Sequence, residues 1–235
     1  MRDQPRITAT KMAEYMDASF ARKRAILQEQ KYPQAFNLAR WGQAERPIAK
    51  FIGESQTDLS TIDQEISKLI SIQLDTDFKA QNRDLCVEAL KSFKLLSNQL
   101  SFPNIDKILG PLGTKMTIII NGVEISVLPQ IILSGKTTKG TKVVGGIKFR
   151  FPKSFPLNEK SAGYLASLVH WHCEYHLQHL GKPEVRICYA VDIPKSTIFD
   201  PPESYKRRRQ QLQEACHEIT QRWPNIPPPP NYQEP

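Results

Sequence analysis

From Thr8 to Leu100 the apolar residues return every three or four positions, the spacing of helices that bury one face. Thr8 or Thr10 caps a helix opening "KMAEYM", and "SFARKRAILQEQK" carries Phe20, Ile26 and Leu27 on a second helix. The "KYP" that follows ends it, because proline disfavours helix in the residue before it. "PQAFNLARWGQAERPIAKFIGES" reads as two short helices, and "DLSTIDQEISKLISIQ" as an amphipathic one with Ile62, Ile66, Leu69 and Ile70 on its buried side. The strongest pattern covers 76–100, where Leu85, Ala89, Phe93 and Leu96 form a buried stripe with Glu88 beside it.

Beyond Pro103 the period changes. "KMTIIINGVEISVLPQIIL" is two β-rich runs around Asn121-Gly122, a pair that accepts the positive φ of a tight hairpin turn. "SGKTTKGTK" is a looser turn, and "VVGGIKFRF" a further strand. A helix over 159–180 is capped by Asn158, "EVRICYAVDI" is a strand apolar on both faces, and a basic helix covers about 203–222. From residue 76 the order is α-β-β-β-α-β. It predicts an α/β fold, a mixed central sheet flanked by helices, with the last strand parallel through a helical crossover. Residues 1–75 form a helical N-terminal portion packed on the core, 76–222 the core, and 223–235 a Pro-rich tail that adds little to it.

Composition places the chain among ordinary globular proteins, with 40% hydrophobic and 24% charged residues, too apolar for disorder. No stretch approaches the length of a membrane span, so no membrane partner is expected. The start "MRDQPRITAT" has no apolar signal-peptide core, so a cytoplasmic location is expected. Cys86, Cys173, Cys188 and Cys216 form no CxxC pair and read as small core residues.

The net charge of +8 is unevenly spread. Residues 134–160 hold seven bases, Lys136, Lys139, Lys142, Lys148, Arg150, Lys153 and Lys160, against the one acid Glu159. Arg22, Lys23 and Arg24 lie on the second helix, and Lys206, Arg207, Arg208 and Arg209 open the last one. Such clusters fit the phosphate backbone of DNA or RNA. "HWHCEYHLQH" places His172 and His176 one helical turn apart, a spacing able to share a metal, on a stripe with Leu165, Val169 and Leu180 that reads as buried. "GKTTKG" lacks the spaced first glycine of a phosphate loop and joins two strands, which argues against nucleotide hydrolysis.

Three stretches, "ITATKMAEYMDASFARKR", "KSAGY" (Lys160 to Tyr164) and "GIK" (Gly146 to Lys148), together with the order of elements, resemble the PD-(D/E)xK nuclease superfamily and its RecB-like group. The resemblance implies a restriction-endonuclease-like αβββαβ core. It also implies a site of Glu88, Gln130, Gly146 and Lys148, with Tyr164 from "KSAGY", working through Mg²⁺. At Gln130 and Gly146 the family's two carboxylates are missing, so the expected metal site is degenerate and no cofactor is expected. The leading expectation is a nucleic-acid-binding protein that no longer cuts, in a prokaryotic defence or mobile-element system. A second is an active Mg²⁺-dependent nuclease with a migrated acid, Glu159 or Glu124. A third is a scaffold whose His-rich helix and proline tail hold a protein partner or a second copy of the chain.

Overall fold

The computed structural model describes residues 1–33, 41–54, 58–100, 102, 105–110, 116–230 and 232. Strand β1 (Arg6–Thr8) leads into α1 (Ala9–Asp17), where the Thr8 hydroxyl accepts the Lys11 N–H, and Ser19 does the same for Arg22 at the start of α2 (Phe20–Lys31). Helices α3 (Gly42–Gly53), α4 (Ser60–Ser71) and α5 (Asp77–Leu96) follow, the last capped by Thr76. Ala89, Phe93 and Leu96 are buried on α5 as expected. Ile70 of α4 is 57% exposed, because Ile62, Ile66 and Leu69 fill the buried face without it.

The strands form two sheets. The larger is mixed and runs β2 (Ile105–Leu109), β5 (Ile131–Lys136), β6 (Lys142–Arg150), β7 (Lys182–Asp192), β8 (Thr197–Phe199). β2, β5 and β6 pair antiparallel, and β6 to β7 is parallel through α6 (Glu159–His176). The smaller sheet is β1 with the hairpin β3 (Thr117–Ile120) and β4 (Val123–Ser126), closed by the left-handed pair Asn121-Gly122. Helix α7 (Tyr205–Arg222) crosses the hairpin, and the Thr220 hydroxyl donates to the Asn121 carbonyl.

The chain is therefore α/β, but the three strands before the crossover are not the expected three. The run after Gly122 is two strands in two sheets, broken at Leu128, whose φ of 41° turns the chain. β2, with its imperfect alternation, takes the place the hairpin was expected to fill. The N-terminal portion is not purely helical either: β1 joins the smaller sheet, and its helices divide between the two faces of the larger one. α1 and α2 share a core with α6, α7 and the small sheet, while α3, α4 and α5 cover the opposite face. The second of the two short helices expected before residue 55 is α3, and residues 34–40 lie outside the described residues.

The expected tail also belongs partly to the core. Trp223 and Ile226 are buried, and the Lys31 ammonium, itself 5% exposed, donates to the carbonyls of Trp223, Pro224 and Ile226 at 2.7, 3.1 and 3.2 Å. All three of its N–H groups are used, so the cation ties α2 to the chain end. Lys31→Met is expected to leave the Pro224 carbonyl short of a donor, to remove the charged bond from the Trp223 and Ile226 carbonyls, which keep the Ile226 N–H and the Tyr32 hydroxyl, and to lower stability by about 2–3 kcal/mol. That is a fall of roughly 4–12 °C in Tm. Calorimetry reads this directly, and an unchanged Tm would show that the clamp does not hold the segment.

Candidate functional site

Alternation along β6 decides which way its side chains face. Ile147 and Phe149 enter the core under α3 and α5, so Lys148 and Arg150 face the α6 side, as Gly146 does toward Val169. Gln130, just before β5, sits beside this end of β6. Its backbone N–H donates to the Ile147 carbonyl, and its side-chain Oε1 accepts the Phe149 N–H at 2.9 Å. Its Nε2 donates to Oε1 of Glu45 on α3 at 3.0 Å. Trp41, stacked on Phe151 at 5.7 Å, holds the start of α3 against the end of β6. The amide therefore joins a strand to a helix that covers it.

Lys148 Nζ donates to the Leu128 carbonyl at 2.7 Å, at the kink between the sheets. The residue is half-buried: its amine lies deep among protein atoms while part of its surface stays accessible. Burial pushes the amine down to about 8, against the opposing pull of the Glu45 carboxylate. His172 of α6 is fully buried, and neither ring nitrogen has a hydrogen-bond partner among the described residues. Burial, then His176 and Lys148, push it down to about 4. Lys148, Gln130, Glu45 and His172 thus form one polar cluster.

The other expected site residues lie elsewhere. Glu88 is exposed on α5 and pairs with Lys153. Glu159 is exposed in the first turn of α6, and Glu124 pairs with Arg6 in the smaller sheet. Tyr164 is buried between α6 and α7 with its hydroxyl donating to Oε1 of Gln211 at 2.7 Å. Gly163 beside it leaves room for the Arg208 guanidinium, which an added Cβ would meet at 2.6 Å. The acid that does reach Lys148 is Glu45, 85 residues from Gln130 in sequence.

This donor set does not fit Mg²⁺, which takes near-octahedral oxygen ligands and favours carboxylates. Glu45 is the only carboxylate acting on Lys148 among the described residues, and one of its oxygens is taken by Gln130. The Gln130 oxygen is taken by Phe149, and the Leu128 carbonyl by Lys148. At Gly146 a Cβ would meet the Ile131 carbonyl oxygen at 2.8 Å, so a carboxylate there requires the backbone to move. His172 and His176 have ring centroids 4.9 Å apart, but the His176 Nε2 is bonded to the Thr117 carbonyl. Among the described residues no group of three His, Cys, Asp or Glu side chains is placed to hold a metal ion.

The basic residues also divide. Arg22 binds Glu14 and Glu29, Lys160 binds Asp17, and Arg209 binds Glu174 and the His170 ring. Arg150 is 4% exposed and donates to the carbonyls of Pro152 and Ser154. Lys23 lies over the Tyr15 ring and Arg208 over Tyr164. Arg24, Lys206 and Arg207 are exposed on α2 and α7. Lys136, Lys139 and Lys142 are exposed at the β5–β6 turn and make no ion pair among the described residues. Parallel pairing sets Lys182 beside them, since Val143 is in register with it. Six residues of strand separate Lys142 from Lys148, about 20 Å. The 134–160 cluster is therefore two groups at opposite ends of β6.

No family model matches the chain, and no curated protein matches it significantly. No helix among the described residues is long and apolar enough to cross a membrane.

Two pH effects follow from the cluster. Lys148 is held below its ordinary value, so between pH 8 and 10.5 the unfolded chain binds more protons than the folded one, and stability rises with pH across that window. His172 is likewise depressed, so stability falls as pH drops from 6.5 toward 4. Urea unfolding across both windows is expected to show these slopes, with Lys148→Met flattening the alkaline one and His172→Leu the acid one. Slopes unchanged by the substitutions would contradict the assignment. Gly146→Asp is expected to cost about 2–4 kcal/mol through the close carbonyl, by the same measurement.

Proposed function

We propose that the chain is a nucleic-acid-binding protein on a PD-(D/E)xK-like core that does not cut, and that it holds its partner through the lysines at the β5–β6 end of the sheet. The observation that carries the reading is that Lys136, Lys142 and Lys182 on three adjacent strands, and Lys139 in the turn between the first two, have no acid paired to them among the described residues. Lys136 and Lys142 are cross-strand partners on one face, Lys139 stands in the turn that joins them, and Lys182 flanks them from the other face of β7, so the four gather around one end of the sheet with the threonines of "KTTKGTK" among them. Such a surface neutralises phosphates without reading bases. The core part of the reading is supported by the helix, three strands, crossover helix and parallel strand, and by Lys148 and Gln130 meeting at the end of β6. Loss of cutting is supported by the donor set: one carboxylate, already engaged, and a glycine that excludes a second.

The test is fluorescence anisotropy with a short labelled DNA duplex between about 50 and 200 mM salt. Four phosphate contacts predict a log–log slope of about −3 to −4. Reversal of Lys136, Lys139 and Lys142 to glutamate is expected to weaken binding at least about tenfold and bring the slope near −1. Binding that ignores salt or the reversal would overturn the surface. Cleavage in Mg²⁺ or Mn²⁺ that is lost in Lys148→Ala would overturn the loss of activity.

A further inference from the structure

Residues from two of the three motif stretches, with Arg150 from just beyond the other, meet at one cleft. It has a volume of about 220 Å³ and lies between α1, the chain leaving β6 and the start of α6. Thr10, Glu14 and Asp17 come from the first motif, Ser161 from "KSAGY", and Arg150 lies two residues beyond the lysine of "GIK". Phe155 completes the wall.

Two features give the cleft a chemical preference. Phe155 is 49% exposed, and the Arg22 guanidinium lies over its ring at 4.5 Å from the centroid. Arg150 holds the loop that presents it through Pro152 and Ser154. Arg22 covers one face of the ring and is not part of the cleft's lining, so a flat ligand in the cleft stacks on the other face. The second feature is spare acceptor capacity. Asp17 accepts one bond from Asn158 at 2.6 Å and one from Lys160 at 3.1 Å, which leaves about two of its four lone-pair positions open. Burial works to raise its pKa, but the Asn158 and Lys160 bonds outweigh that, so it stays ionised at neutral pH. Glu14 is nearly filled by Lys11 and Arg22.

We propose that this cleft binds a guanine base, stacked on Phe155 with its adjacent N1–H and N2–H donors on the Asp17 carboxylate. Adenine offers no such pair of donors on one edge, so the carboxylate discriminates between the purines. The volume admits one bicyclic ring, while the sugar and phosphate stay outside. The same base comes from a free nucleotide or from an unstacked position in a strand. For the strand the proposal rests on the nucleic-acid reading above; for the nucleotide it stands without it.

Titration calorimetry of the full chain with guanosine monophosphate and adenosine monophosphate tests the first source. Guanosine monophosphate is expected to bind at least about tenfold more tightly. Phe155→Ala is expected to weaken it at least about tenfold, and Asp17→Asn to abolish the preference. The triple lysine reversal is expected to change neither, so failure here and failure of the lysine surface are separable. Oligonucleotides with one unpaired guanine or adenine test the second source by the same preference. No heat with either nucleotide and no preference in either oligonucleotide would overturn the proposal, as would an Asp17→Asn variant, folded by its melting curve, that still prefers guanine.

Discussion

One side-chain amide fixes the geometry at the end of the central sheet. Gln130 stands where β5 has not yet begun, and its Oε1 takes the Phe149 N–H that a continuing strand would have satisfied. The other half of the amide reaches Glu45 on α3. A buried N–H left unpaired there costs about 1–3 kcal/mol, so the amide completes the ladder and the helix packing together. A carboxylate at 130 could accept from Phe149, but it would face Glu45 with like charge. The neutral amide therefore stabilises the arrangement that removes the acid.

The glycine four residues along β6 from Arg150 follows the same logic. Val169 of α6 and the Ile131 carbonyl approach Gly146 so closely that a side chain cannot enter without backbone movement. The strand, the crossover helix and the kink at Leu128 pack around a lysine whose amine is already committed to a carbonyl. This end of β6 is filled by packing and committed hydrogen bonds. Lys136, Lys139 and Lys142, without ion pairs among the described residues, stand at the other end of β6, and the cleft beside α1 has its own polar walls.

Much of this was legible wherever the deciding interaction is local. Asn121-Gly122 names its turn by its backbone freedom, and Asn158 caps α6 in a box with Ser161 three positions on. The buried stripe of α5 and the parallel β7 followed from period and crossover length. The site was less legible because its partners are distant. Glu45 shows only as one acid on a helix, and nothing near it in sequence points to Gln130. Lys182 becomes a neighbour of Lys142 only through the register of β6 and β7. The basic run 134–160 looked like one surface because sequence does not show that β6 carries its two halves to opposite ends. Pairing of Arg22, Lys153, Lys160 and Arg209 with acids from other elements was likewise invisible.

A closed polar cluster stands at one end of β6 and an open lysine surface at the other. Hydrogen–deuterium exchange of the chain with and without a DNA duplex tests that separation most directly. The predicted result is protection over 136–142 and around Lys182, with exchange at 128–130 and 145–150 unchanged. Protection at 128–130 and 145–150 instead would place the phosphates at Lys148 and contradict it.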